Sequence, residues 1–325
     1  MKQIKKKLTH HPSIINNNLI QKNIPLHNKN WFATGGNAAF FVSPENKSEF
    51  QEALLYAQQH DLPITLLGQG ANVLISDTGI NGLVIKPQLN EILIHENGCV
   101  TAGAGVVMQD LIDHCLNNNI IGLEEFSGIP GTVGGSVFIN LHYFSFLLSQ
   151  FLVSAHVIHK HTGEIHEVTN DWFQFGYNNS RLHHEPYYLV DATFALTSTN
   201  EIQTAFAKGR AQEIIRHRTT RYPNKNTCGS FFRNFYPDEV TIESNNKKMI
   251  YVAYYLDKIG VKGELKKGDA MVSWQHANML VNCGNATTND IIQLAREMQL
   301  LVKEHFNIIP QPECRLLGFD EHPLL

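Results

Sequence analysis

The chain has 325 residues, 43% hydrophobic and 17% charged, with a formal net charge of −4. That is more material than one compact core takes, so two or three domains are expected; a weakly acidic chain has no general attraction for nucleic acid or an anionic membrane. The five cysteines (Cys99, Cys115, Cys228, Cys283 and Cys314) are odd in number and contain no C-x-x-C pair. This argues against a disulfide framework and a cysteine zinc site, and suits a reducing cytoplasm. Lys2, Lys5, Lys6 and Lys7 precede no apolar stretch, so no secretory signal is expected. The most apolar run, 143–153, is broken by Ser145, Ser149 and Gln150 and reaches about half a membrane span.

Residues 1–26 are polar and Asn-rich, which predicts a loosely packed leader. From Trp31 onward the pattern is alternating strand and helix. Ser48 to His60 predicts a helix with Phe50, Leu54, Leu55 and Ala57 near helical spacing. Ile64–Leu67, Val73–Ile75 and Leu83–Ile85 read as strands. Ile92–His95 and Cys99–Ala102 read as a hairpin turning at Asn97-Gly98, followed by a helix from Val107 to Leu116. Val157–His159, Ile165–Val168 and Tyr188–Phe194 are further strands. Composition changes near 200, where Glu201 to Arg218 predicts a charged amphipathic helix. Strand Met279–Asn282 and a long helix from Asn289 to Phe306 follow. The expected division is therefore a leader over 1–26, a region over 27–200 made of two subdomains meeting near 88, and a C-terminal domain over 201–325.

Two glycine-rich segments carry the chemistry. Gly68-Gln69-Gly70-Ala71-Asn72-Val73-Leu74 follows a strand directly, and its glycines allow backbone N–H groups to approach phosphate oxygens. Strand continues through Val73, so this is not the G-x-G-x-x-G that opens a dinucleotide-binding helix; an ordinary strand–turn–strand is the other reading. Gly128-Ile129-Pro130-Gly131-Thr132-Val133-Gly134-Gly135-Ser136 lies between apolar segments and suggests a backbone that wraps something bulky and anionic. A loop shaped only by packing is its alternative.

Taken together, the two segments resemble the pair that embraces FAD in the UDP-N-acetylenolpyruvoylglucosamine reductase (MurB) family, and Thr34-Gly35-Gly36-x-Ala38 is similar as well. The resemblance runs from about 30 to 318. It implies an α+β chain: a vanillyl-alcohol-oxidase/MurB-like FAD-binding fold of two α/β subdomains, then an α+β substrate domain. The implied cofactor contacts are Gly68, Gln69, Gly70, Ala71, Asn72, Val73, Gly128, Ile129, Gly131, Thr132 and Gly134. Cys228-Gly229-Ser230-Phe231-Phe232 is similar to the family's G-S-x-F, which makes Ser230 the proton donor. Pro312-Glu313-Cys314-Arg315 is similar to its E-V-R, which makes Glu313 catalytic. Tyr177, Arg221, Asn234 and Arg315 would contact substrate; Arg221 suits a diphosphate because a guanidinium pairs with phosphate bidentately. The implied reaction is reduction of UDP-N-acetylglucosamine enolpyruvate with NADPH as hydride donor through bound FAD. A cytoplasmic monomer with a small-molecule substrate and no nucleic-acid or membrane partner is expected. The shorter-loop subtype fits, since 194–218 leaves little room for an extra lid.

The pattern departs from the family at two places that matter. Phe175-Gly176-Tyr177-Asn178-Asn179-Ser180 is similar to F-x-Y-R-x-S, with Asn178 where the family has a catalytic arginine; Arg181 would substitute only if the segment turned helically. After Asn140, where small residues are usual beside the flavin, stands the bulky 141–146. These departures leave two further readings: a decayed relative that binds FAD or a UDP-sugar without turnover, and a different flavoenzyme on the same fold. His159, His161 and His166 invite a metal reading, but no carboxylate or cysteine stands at matching spacing, so no metal is expected.

Overall fold

The computed structural model describes residues 19–96, 98–244 and 246–325. The expected leader lies outside them as far as 18, as does the hairpin residue Asn97. Gln21–Pro25 is already a strand, β1, paired antiparallel with β2 (Asn37–Val42). Polar composition hid it because β1 is an edge strand with mostly exposed side chains.

The first lobe is a four-stranded mixed sheet. Beside β2 runs β5 (Ile80–Ile85), and beside that β3 (Ile64–Leu66), both pairs parallel. Helix α1 (Lys47–Gln59) crosses over between β2 and β3. Asn46 starts it by accepting from the Glu49 N–H at 3.0 Å, and Phe50, Ala53, Leu54 and Ala57 bury one face against the sheet. Strand β4 (Val73–Ile75) leaves this sheet for another partner, described below.

The second lobe is an antiparallel five-stranded sheet. Its strands are β6 (Ile92–Ile94), β7 (Cys99–Gly103), β8 (Leu152–His159), β9 (Ile165–Thr169) and β10 (Tyr187–Ala195), in spatial order β9-β8-β10-β7-β6. Helix α2 (Met108–Asn117) and the short helix α3 (Val133–Phe138) cover one face. Helix α4 (Glu201–Arg221), which the sequence places in the C-terminal domain, buries Ala207, Ala211 and Ile214 in this lobe's core. Small side chains at spacings of four and three let the helix lie close, so packing changes partner where α4 ends.

The third lobe gathers α5 (Val252–Lys258), β11 (Ala270–Val272), β12 (Leu280–Asn282) and α6 (Thr288–Phe306) around Phe231, Phe232, Tyr255 and Met298. Phe32 and Leu74 of the first lobe lie in the same cluster. The chain then returns: β13 (Arg315–Leu317) pairs in parallel with β4, Arg315 opposite Val73. No helix among the described residues is long and apolar enough to cross a membrane.

Candidate active site

A cleft of about 790 Å³ lies where the three lobes meet, a volume that suits a cofactor with its substrate. The two glycine segments form one wall and are tied to each other. Gln69 Oε1 accepts from the Gly131 N–H at 2.9 Å. A Cβ on Gly68 would stand 2.7 Å from Thr132 Oγ1, so glycine is what lets the loops touch. Gly70, at φ +67°, packs on the Asn30 backbone and its carbonyl accepts from the Trp31 N–H at 3.0 Å. Beyond Gly131, Thr132 caps α3 by accepting from the Gly135 N–H at 3.2 Å.

The opposite wall is built on the third lobe. Phe232 bridges to Pro312, and the Phe231 carbonyl accepts from the N–H groups of Glu313 (2.8 Å) and Cys314 (3.2 Å). Asn278 clamps the same segment, accepting from the Phe232 N–H at 3.1 Å and donating to its carbonyl at 2.7 Å. Ser230 and Glu313 thus come from distant sequence to one short ladder on the cleft wall. The Arg315 N–H donates to Asn72 O at 3.1 Å, which joins this ladder to the first glycine segment.

Every residue expected to contact the cofactor lines the cleft, as do Ser230, Glu313 and Arg315. Tyr177, Asn234 and Arg221 are not in the lining. Tyr177 and Asn234 nevertheless stand together: burial, then the charge of Glu313, raises the Tyr177 pKa, while Asn234 lowers it through hydrogen bonding. Arg221 is exposed at the end of α4, its guanidinium 5.9 Å from the Tyr222 ring.

Electrostatics separate the acidic and basic ends. Burial pushes the Glu313 carboxyl up to about 7, opposed only by hydrogen bonding from Asn178. Asn178 sits at φ 50° on the tip of the tight turn Gly176–Asn179 and lines the cleft. Arg181 is turned away, over the Trp172 ring at 4.9 Å and 3.7 Å from Glu185, so it does not take the place of the missing arginine. Arg315 lies over the Phe138 ring at 4.9 Å. His183 stacks on the same ring at 3.8 Å; burial, then Arg315, pulls its pKa down to about 4.

Residues that the sequence reading passed over also line the cleft. Arg218 donates to Gly128 O at 3.1 Å, flanked by the rings of Tyr143 (5.7 Å) and Tyr222 (5.4 Å), and burial lowers its pKa. Its spacing of three from Arg221 was the available signal, masked by the charged face of α4. Lys86 is not in the lining but stands behind it, donating to Gly68 O, with its pKa lowered by burial and then by Lys29. The bulky stretch after Asn140 folds as a small hairpin, Tyr143 opposite Phe146, with Phe144 75% exposed at its turn. Leu141 and Tyr143 pack into the second lobe's core and, with His142 and Phe144, also line the cleft. Among the described residues no group of three or more His, Cys, Asp or Glu side chains is arranged to hold a metal.

The cradle fits FAD on the protein's own geometry. A Cβ on Gly131 or Gly135 would meet nothing closer than 3.8 Å and 3.7 Å, respectively, so open space for a ligand lies against that backbone. Residues 38–169 match the FAD binding domain family, and residues 221–317 match the C-terminal domain of UDP-N-acetylenolpyruvoylglucosamine reductase. The chain is 33% identical over 308 residues to a UDP-N-acetylenolpyruvoylglucosamine reductase from Synechococcus sp. (strain JA-3-3Ab), covering 94% of each protein. It is 35% identical over 290 residues to one from Trichormus variabilis, covering 88% of this chain and 83% of that protein. Among solved structures, the MurB reductase of Thermus caldophilus superposes with a TM-score of 0.73 at 26% identity over 90% of this chain and 97% of the other. With two FAD-type lobes, a reductase-type third lobe and relatives matched along almost their whole length, the chain belongs to the UDP-N-acetylenolpyruvoylglucosamine reductase family.

Proposed function

We propose that the protein reduces UDP-N-acetylglucosamine enolpyruvate to UDP-N-acetylmuramate with NADPH, as a cytoplasmic monomer. The observation that carries this reading is the single ladder that sets Ser230 and Glu313 on the cleft wall opposite the glycine cradle. FAD held along Gly68–Val73 and Gly128–Gly134 supplies the hydride chemistry. Arg218, a half-buried cation that makes no ion pair within 4 Å among the described residues, offers charge to the cofactor's diphosphate. Ser230 gives the proton to the substrate carbon, and Arg315 and Glu313 face the carboxylate on which charge develops. Tyr177, Asn234 and Arg221 hold the nucleotide end of the substrate from the rim. A relative named as this reductase and matched over 94% of both chains favours this reading over a decayed relative.

An anaerobic flavin titration tests it. NADPH should bleach the flavin absorbance, and UDP-N-acetylglucosamine enolpyruvate should restore it within seconds. Flavin that bleaches and stays bleached in the presence of the sugar would reject the proposed activity.

A further inference from the structure

Among the described residues that line the cleft, Arg218 and Arg315 alone carry a fixed positive charge. Arg218 is committed to Gly128 O in the cradle. Asn178 brings no charge, and Arg181 is turned away over Trp172. Arg315, two residues beyond Glu313, is therefore the cation available to the ladder that carries Ser230 and Glu313. Its backbone is fixed, since it pairs opposite Val73 and its N–H donates to Asn72 O at 3.1 Å. Its long side chain is not fixed by charge: among the described residues the guanidinium makes no ion pair within 4 Å. It lies instead over the ring of Phe138, 4.9 Å from the centroid. Phe138 is itself well held. It is the last residue of α3 and packs against the second lobe's core. Its carbonyl accepts from the Ser180 hydroxyl at 2.7 Å and from His183 Nε2 at 2.9 Å. The His183 ring stacks on the Phe138 ring, with centroids 3.8 Å apart and planes 16° from parallel. An aromatic face attracts a guanidinium while leaving its N–H donors free for a carboxylate.

We propose that Phe138 is a positioning residue for Arg315: its ring, backed by His183, is the platform that presents the guanidinium to the carboxylate of the enolpyruvyl sugar. An arginine side chain left free on the cleft wall would spend much of its time in other rotamers, and ordering it would draw on the binding energy of the substrate. The platform makes that ordering part of the fold. Three lobes meet at this one side chain: the first holds its backbone through Asn72, the third carries the ladder it extends, and the second supplies the ring. His183 is neutral near pH 7, its pKa drawn down to about 4, so it backs the ring without adding a positive charge beside Arg315. The inference rests on the proposed reaction and deepens it.

The test uses flavin-loaded protein and a double-mutant cycle. Phe138→Leu removes the aromatic face and keeps an apolar side chain; Phe138→Tyr keeps the face. The rate at which the enolpyruvyl sugar restores bleached flavin should fall about tenfold in Phe138→Leu and stay within about twofold in Phe138→Tyr. Arg315→Gln should slow the same step, and Phe138→Leu should then add nothing further, because its effect passes through Arg315. A full effect of Phe138→Leu in the Arg315→Gln background would overturn the proposal. A readout that needs no substrate is the nuclear magnetic resonance signal of the Arg315 side-chain N–H, identified by its loss in Arg315→Gln. The ring current of Phe138 should shift it upfield; the shift should vanish in Phe138→Leu and survive in Phe138→Tyr. An unshifted signal in the unsubstituted protein would also overturn the proposal, and this holds even if Phe138→Leu fails to fold. Failure of the sugar to restore flavin in the unsubstituted protein would instead defeat the proposed reaction, while the shift would still decide whether Phe138 holds Arg315.

Discussion

Glu313 is held where its charged form is disfavoured, and that costs stability. Its folded pKa of about 7 lies above the ordinary 4.5, so the unfolded chain gives up this proton first. The folded state is therefore favoured by this group below the ordinary value, and the advantage is lost as pH rises toward 7. Glu313→Gln should accordingly stabilise the fold near pH 8, by no more than about 3 kcal/mol since water in the open cleft screens part of the penalty, and so raise the melting temperature there while leaving it unchanged near pH 4. Calorimetry at the two pH values checks this; equal shifts at both would mean that the carboxyl is not destabilised by burial. Ser230 and Glu313 were legible through the resemblance of their short motifs to the family's, not through composition, which alone reads as a turn serine and a surface ion pair. Arg218 was not, because an arginine on a charged helix reads as solvated surface, and only the fold places it under the rings of Tyr143 and Tyr222.

The long helix α6 shows how an element is fixed from outside itself. Thr287 and Asp290 form a reciprocal cap, and the first-lobe residue Asp77 accepts from the N–H groups of Thr288 and Asn289, both at 2.9 Å. The Thr288 hydroxyl donates to Ile75 O at 2.6 Å. Asp77→Ala should cost about 1–2 kcal/mol through the lost cap and the lost charge at the helix N-terminus, measured by urea unfolding; a change within error would mean that Thr287 and Asp290 suffice. Helix α6 was readable from its apolar stripe and caps. Helix α3 was not, because Gly134 and Gly135 disfavour a helix locally; the Thr132 cap and the Gly134 N–H, which donates to Ala104 O at 2.9 Å, impose it. The 142–147 hairpin escaped for a similar reason: two-residue strands leave no periodicity to read.

At the scale of the molecule the lobes share their interiors. Phe32 and Leu74 lie in the third lobe's core, Asn282 donates to Phe32 O at 3.0 Å, and Tyr188 of the second lobe stacks near Phe50 of the first, 6.3 Å between rings. Unfolding should therefore be one transition, with far-ultraviolet circular dichroism and flavin fluorescence coincident; separate midpoints would show lobes that melt alone. The alternation of elements made the two-layer lobes legible, but the lobe to which α4 belongs depended on which face found a partner. The pairing of β13 with β4 has a consequence for the order of events during synthesis. Leu74 and Ile75 are wholly buried in the finished protein, yet their strand partner is made only after most of the chain. Until 315–317 emerge, the nascent polypeptide carries an open apolar edge of the kind that invites mispairing, and the ladder bearing Glu313 has nowhere to dock. Closure over so long a loop is slow, so holding that edge while the ribosome finishes is the step at which a chaperone has most to contribute.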